Sequence, residues 1–416
     1  MRRSFVRALL VTACAAMFVA ARAQQPQTAR PIVIKAATVI DGTGKTLHDT
    51  VIVVEGGKIT RVGGAAPSNA VMYDLAGLTV MPGLIDTHSH IVYHFGPDGR
   101  YAGGGRGEPP DVASQFIMEN AVRTLEAGFT TIQSPGAMAD KNLRDAIARG
   151  ILVGPRILTS LQPLMENSGG PDKLRELVRE RKQQGADLIK LFASKSIREG
   201  GDQTMTDEQL NAACGEAKAQ GLRTIVHAHS AASAKAATLA GCTAVEHGAY
   251  VTDDVFNLME ERGTYYDPNI GLVLQNYIQN KDKFFGIGNY NEEGFAFMEK
   301  GIKITLDTFK KALTHQKLKI VYGTDAVAGA HGRNYEEMIV RVRDGGQDPM
   351  AAIVSATSLS AESLHMKDQI GSIAPGMQAD IIAVDGNPLQ DITAVRRALF
   401  VMKGGRVFEH LARGAK

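Results

Sequence analysis

The 416-residue sequence has no tryptophan, three cysteines and 6% aromatic residues, and its formal net charge is only +2. So small a charge gives no basic surface for nucleic acid, and no pattern of stacking aromatics replaces it. No apolar run is long enough for a stable membrane span. Three cysteines cannot build a disulfide framework. One of them, Cys14, falls in a segment set aside below. Cys214 and Cys242 are expected as free, buried thiols, because a core of this size needs no cross-link. What is present is ordinary globular composition, 44% hydrophobic and 22% charged, enough for one large domain and a smaller one.

The first residues differ from the rest. "MRRSFVR" is basic, "ALLVTACAAMFVA" is apolar, and Ala21-Arg22-Ala23 has the A-x-A form of a cleavage site. Residues 1–23 therefore read as a signal peptide of an exported protein, periplasmic or secreted. Arg2-Arg3-Ser4-Phe5-Val6 resembles a twin-arginine signal, and it equally fits the basic region of a general export signal. Val11-Thr12-Ala13-Cys14 has the form of a lipoprotein box, but the apolar run before it is too short to favour lipidation.

After a Gln/Pro linker, "PIVIKAATVIDGTGKTLHDTVIVVEGGKITRVGG" shows short β-branched runs between glycine turns, the texture of antiparallel strands. "GSIAPGMQADIIAVDGNP" and "ALFVMKGGRVFEH" return to that texture near the C-terminus. Residues 24–80 and 366–416 are expected to form one small β-sandwich from both chain ends. Between them, residues 81–365 alternate strand and helix. Strand candidates are "TVMPGLID", "TTIQS", "RILTS", "DLIKLF", "RTIVHA", "TAVEH", "TYYDP" and "LKIVYGTD". Helical stretches such as "DEQLNAACGEAKAQG" show apolar spacing near 3.6 and end by a glycine. Eight β-then-α units predict an α/β fold built on a (β/α)8 barrel. The long segment 269–316 is expected to carry its own helices over the site.

In such a barrel, chemistry gathers at the C-terminal ends of the strands. Those positions hold His88 and His90, Lys190, His227 and His229, His247, and Asp325. Five of the 11 histidines thus lie at strand ends. Residues i and i+2 of a strand face one side, so His88 and His90 can reach one ion. H-x-H alone is a weak signal, and matching residues on three other strands strengthen it. His229 is either part of the site or a satisfied histidine lying one pleat from His227 or in the next loop. Lys190 is the odd member. A protonated amine repels a metal and is costly to bury in "DLIKLF". Carboxylation by CO2 would make it a bridging ligand, and an ion pair with Asp325 is the plainer alternative.

"PGLIDTHSH", "ADLIKLFAS", "IVHAHS", "VEHG" and "YGTDA", in that order, resemble the amidohydrolase superfamily, and "GSIAPGMQADIIAVDGNP" resembles its C-terminal β segment. The resemblance covers nearly the whole chain after the leader. It is strongest to the imidazolonepropionase-like branch that holds Xaa-Pro and other Xaa-amino-acid dipeptidases, and ochratoxin A-hydrolysing enzymes. It implies a binuclear site with His88, His90 and Asp325 on one metal, His227 and His247 on the other, and carboxylated Lys190 between. Zinc is the expected ion for nitrogen and oxygen ligands. The implied reaction is amide hydrolysis by metal-bound hydroxide, with Asp325 as general base and then acid, and His229 at the carbonyl. Imidazolonepropionase-type sites carry a glutamate where Ser230 stands here, which weighs against that activity. A Gly-Gly-His-Gly segment of the dipeptidases is replaced by "SLQPLMENSGGPDK", so the substrate pocket is expected to differ.

A substrate carboxylate would need a partner near the mouth. Tyr250, His331 and Arg333 are the chosen candidates, with Lys195 and Arg198 after the fourth strand also considered; for each, a solvated loop residue is the plainer reading. The expected partner is a small-molecule or dipeptide amide, and the resemblance implies a homo-oligomer. The rival readings are a lactonase or phosphotriesterase on the same site, and a non-catalytic binding barrel.

Overall fold

The computed structural model describes residues 30–103 and 108–411; the expected signal peptide and Cys14 lie outside them. The described chain opens with five strands: β1 (Ile32–Ile40), β2 (Thr46–Glu55), β3 (Lys58–Val62), β4 (Val71–Asp74) and β5 (Thr79–Pro82). Eight short strands follow, most of them separated by helices: β6 (Leu84–Asp86), β7 (Phe129–Ser134), β8 (Arg156–Thr159), β9 (Leu164–Met165), β10 (Leu188–Phe192), β11 (Arg223–Ser230), β12 (Ala244–Tyr250) and β13 (Tyr265–Asp267). Near the end lie β14 (Ile381–Val384), β15 (Ala398–Lys403) and β16 (Arg406–His410).

The chain ends do combine, as their shared texture predicts. Their strands form one sheet in the order β16-β15-β14-β5-β1-β2-β3, with β4 beside β1. Hydrogen bonding thus joins strands from both chain ends in one continuous sheet. Ile34, Ile52, Ile59, Ile381 and Phe400 share a core, although they come from distant strands. In a second core Ile40, Met81, Ile382 and Val401 pack with the helices of the central region. Coverage of both faces explains why "IIAV" of β14 is apolar at every position rather than alternating.

The central strands pair in parallel as β6-β7-β8 and as β13-β12-β11-β10-β9. Backbone hydrogen bonds link the two sets. Asp187 N donates to Thr159 O at 2.8 Å between β8 and β10. On the far side the segment 318–325, expected as the eighth strand, is not a regular strand. It and the adjoining Ala326 still exchange backbone bonds with β13 (Tyr266 N to Lys319 O, 2.9 Å) and with the first strand's extension (Thr87 N to Tyr322 O and His90 N to Ala326 O, both 2.8 Å). Asp325 has φ 51°, outside the extended region, so regular pleating stops where the candidate ligand stands. Helices Val273–Gln279, Lys281–Phe284 and Glu292–Ala312 occupy the long segment after β13.

One expectation fails. Cys214 and Cys242 are not free thiols but a disulfide, with Cα atoms 5.2 Å apart. Cys214 is buried on helix Asp207–Ala219, and Cys242 lies two residues before the start of β12. Packing of successive β-α units brings them together across 28 positions, which composition cannot signal. Closing a loop of that length stabilises a fold by about 3–4 kcal/mol in the chain-entropy account.

Candidate active site and metal centre

The strand-end residues converge. His88 and His90 follow β6, Lys190 lies in β10, His227 and His229 in β11, His247 in β12, and Asp325 in the segment after Tyr322. Asp325 Oδ1 is 3.0 Å from His90 Nε2 and 3.5 Å from His88 Nε2. The side chains of His88, His90 and Asp325 form one group of possible metal donors, and those of His227, His229 and His247 form a second. The His88 and His247 rings, 5.2 Å apart, join the two groups. Lys190 Nζ lies 3.3 Å from His88 Nε2.

His229 belongs with the other histidines. Two residues apart on a strand means the same face, not the opposite one, and its ring is 4.7 Å from that of His227 and stacked on that of His247 at 4.8 Å. The alternative of a satisfied core histidine is thereby corrected, since His229 Nδ1 is buried and, among the described residues, has no hydrogen-bond partner. The ion pair considered for Lys190 is also not formed: among the described residues no carboxylate lies within salt-bridge distance of its amine.

Local structure carries strain at this site. His247 has φ 68° and Asp325 φ 51°, left-handed conformations that cost a non-glycine residue of order 1 kcal/mol. Gly201, at φ +76°, passes so near that a Cβ there would stand 2.7 Å from His229 Cβ, which glycine alone permits.

The electrostatics suit a cation site. Burial lowers the pKa of His88, His227 and His247 well below the usual value, helped by Lys190 at His88 and by neighbouring histidines at the other two. Burial, with the Arg198 charge, takes His229 down to about 3. These imidazoles are therefore neutral, as metal ligation requires. Burial pushes Asp325 up, but His88, His90 and Lys190 together hold it below the ordinary carboxylate range. Burial lowers Lys190, against the pull of Glu246, Asp325 and Asp267. Neutral nitrogen donors, an ionised carboxylate and an unpaired buried amine make a donor set that fits divalent cations.

Sequence reading missed Glu246. Its Oε2 stands 2.8 Å from His88 Nδ1, but the approach lacks hydrogen-bond alignment, so both atoms stay formally unpartnered despite the close contact. Burial raises the Glu246 carboxyl to about 7. A carboxylate behind a histidine fixes the tautomer and leaves the far nitrogen for a metal. The available signal was an acid in the buried strand "AVEHGAY" beside His247.

These residues floor a cavity of about 570 Å³. Its walls include Phe192, Tyr101, Tyr277, Tyr290, Lys195 and Arg198. Of the chosen carboxylate anchors, none lines it. Tyr250 is half-buried in the neighbouring apolar cluster. His331 and Arg333 face a second cavity; Arg333 is held by both oxygens of Glu336 and by Gln279, and His331 Nε2 meets Tyr93 O. Their short distance past the eighth segment misled, because the chain turns away after Asp325.

The amidohydrolase family model matches residues 79–408. The chain belongs to the amidohydrolase family. The hydrolase of amide bonds expected from the motifs follows from that membership. A solved Xaa-Pro dipeptidase with bound methionine superposes with a TM-score of 0.82 at 30% identity, covering 91% of this chain and 100% of the other. Ochratoxinase of Aspergillus niger is 25% identical over 92% of this chain and 87% of its own length. Imidazolonepropionase of Rhodococcus jostii is 23% identical over 84% and 85%. Ser230 caps helix Ala231–Leu239 by accepting from Ser233 N at 3.2 Å.

Proposed function

We propose that this amidohydrolase is a two-metal enzyme that cleaves the amide bond of N-acyl amino acids or dipeptides, ochratoxin A among them. The observation that carries this reading is the pair of adjoining donor groups, His88-His90-Asp325 and His227-His229-His247, with Lys190 beside them. The fold that presents them is read as a closed (β/α)8 barrel, supported by the backbone bonds that link the two parallel sets of strands. Relatives named for Xaa-Pro dipeptides and ochratoxin favour amides over lactones or phosphotriesters as substrates.

His88, His90 and Asp325 would hold one cation and His227 and His247 the other, with zinc the first choice for this donor set. A buried amine of lowered basicity without a carboxylate partner is the form that reacts with CO2, so Lys190 is assigned as the carboxylated bridge. When bound, the metals supply Lewis acidity and a water of lowered pKa. Asp325 takes the proton of the attacking water and returns it to the departing nitrogen; His88, His90 and Lys190 keep it ionised and so ready to accept. His229, neutral and with Nδ1 unpartnered, can hydrogen-bond the scissile carbonyl and the oxyanion that follows.

The protein is further read as exported. The basic and apolar leader of residues 1–23 supports this, and so does the Cys214–Cys242 disulfide, since such bonds persist in oxidising compartments. The test of function is mass-spectrometric product identification after incubation of the metal-loaded protein with a mixed library of dipeptides and acyl amino acids. Release of free amino acids is expected. A metal-loaded protein inert on that library but active on lactones or phosphotriesters would replace this reading.

A further inference from the structure

Arg198 sits on the short 3-10 turn Ile197–Glu199 that follows β10, and it faces the cavity above the histidines. Its guanidinium lies over the Tyr290 ring at 4.3 Å and the Tyr277 ring at 5.4 Å. Its Nε donates to Asn289 Oδ1 at 2.8 Å, and Asn289 Nδ2 in turn donates to Glu199 at 2.7 Å. Among the described residues neither Nη atom has a hydrogen-bond partner, and no carboxylate lies within ion-pair distance.

Arg223, also buried, likewise lacks a carboxylate among the described residues and donates to Gln133 Oε1 at 2.7 Å, whereas three other arginines are ion-paired. Arg333 holds Glu336, Arg156 holds Asp380, and Arg341 holds Glu337 and Asp267. A guanidinium withdrawn from water is costly unless an anion meets it. Here the aromatic faces and Asn289 fix the group, while the two terminal nitrogens keep their donors for something entering the cavity. A planar fork of that kind matches a carboxylate.

We propose that Arg198 binds the free α-carboxylate of the amino-acid half of the substrate, with Tyr277 and Tyr290 holding the guanidinium in place. This rests on the amide-hydrolase reading and narrows it: the enzyme acts at the terminal amide of acids, and discriminates against the same amides when the carboxylate is blocked. Val273, Leu274 and Val327 also line the cavity and give the amino-acid side chain apolar company. Arg198 is a specificity-determining residue that takes no proton in the reaction.

The test compares N-acetyl-L-phenylalanine with N-acetyl-L-phenylalaninamide, using the metal-loaded full chain. Turnover and calorimetric binding are both measured. The wild type is expected to prefer the acid by about 100-fold in kcat/KM, the worth of a charge-assisted pair. Arg198→Met should raise KM for the acid by a similar factor, leave kcat within a few-fold and metal content unchanged, and erase the preference. Arg198→Lys should restore part of it. A wild type that treats acid and amide alike overturns the proposal without any variant, and so does an Arg198→Met that keeps the preference. If neither compound is turned over but the acid alone binds, and binding is lost in Arg198→Met, the clamp stands and the assigned reaction fails.

Discussion

Two layers of buried polar residues meet under the cavity, and they are satisfied to different degrees. In the lower layer, Asp86 accepts from His88 N, Thr324 N, Thr324 Oγ1 and Asn334 Nδ2. Glu337 accepts from Ile270 N, Gly271 N and Arg341 Nε; Arg341 also reaches Val321 O and Asp267. Asp267 accepts from Thr87 Oγ1 and Asn269 Nδ2. In the upper layer, among the described residues, His229 Nδ1 has no hydrogen-bond partner, Lys190 has no counter-ion, His88 Nδ1 and Glu246 Oε2 have only their 2.8 Å contact with each other, and His247 and Asp325 hold left-handed backbone. Buried polar groups are ordinarily paired. The lower layer obeys that rule except at Asn269 Oδ1, and it holds the strand ends together. The upper layer breaks it where the donor atoms converge, which is the mark of a site completed by something bound.

The comparison can be broken from either side. The largest effect is expected in the upper layer. Asp325→Asn should cut kcat by about 10⁴-fold through loss of the proton acceptor, while urea unfolding shows no loss of stability, because asparagine tolerates φ near 51°. A variant that retains turnover would remove Asp325 from the chemistry. Next comes the lower layer. Arg341→Met leaves Glu337 and Asp267 buried without their cation and should destabilise the fold by about 3–5 kcal/mol, read as a lowered urea midpoint. A change under about 1 kcal/mol would show that the network is not what secures the strand ends. The smallest effect belongs to the boundary between layers. Glu246→Gln keeps the shape behind His88 but removes the charge, and should weaken metal binding by about 10–100-fold, read by chelator competition, with folding retained. Unchanged metal affinity would assign Glu246 to the lower layer instead.

Much of the upper layer was legible because strand ends are countable. His88 and His90 are two apart, Lys190 interrupts an apolar strand, and His227, His247 and Asp325 close three others. The sheet built from both chain ends was legible from its repeated texture. What escaped depends on directions that only packing sets. The bend at Asp325 sends Arg333 away from the cavity, whereas the turn after β10 sends Arg198 into it against tyrosines roughly 80 and 90 positions onward. The Cys214–Cys242 bond joins a helix to a strand entry and leaves no mark in spacing. Glu246 has meaning only once His88 stands behind it.

The central claim is that the upper layer is a two-metal site bridged by Lys190. Its most direct test is metal analysis of the purified protein beside Lys190→Ala. The account predicts two divalent cations per chain in the wild type, and loss of metal in the variant with partial recovery when a short carboxylic acid is added. A wild type active with a single cation, or a Lys190→Ala that keeps both, would contradict it.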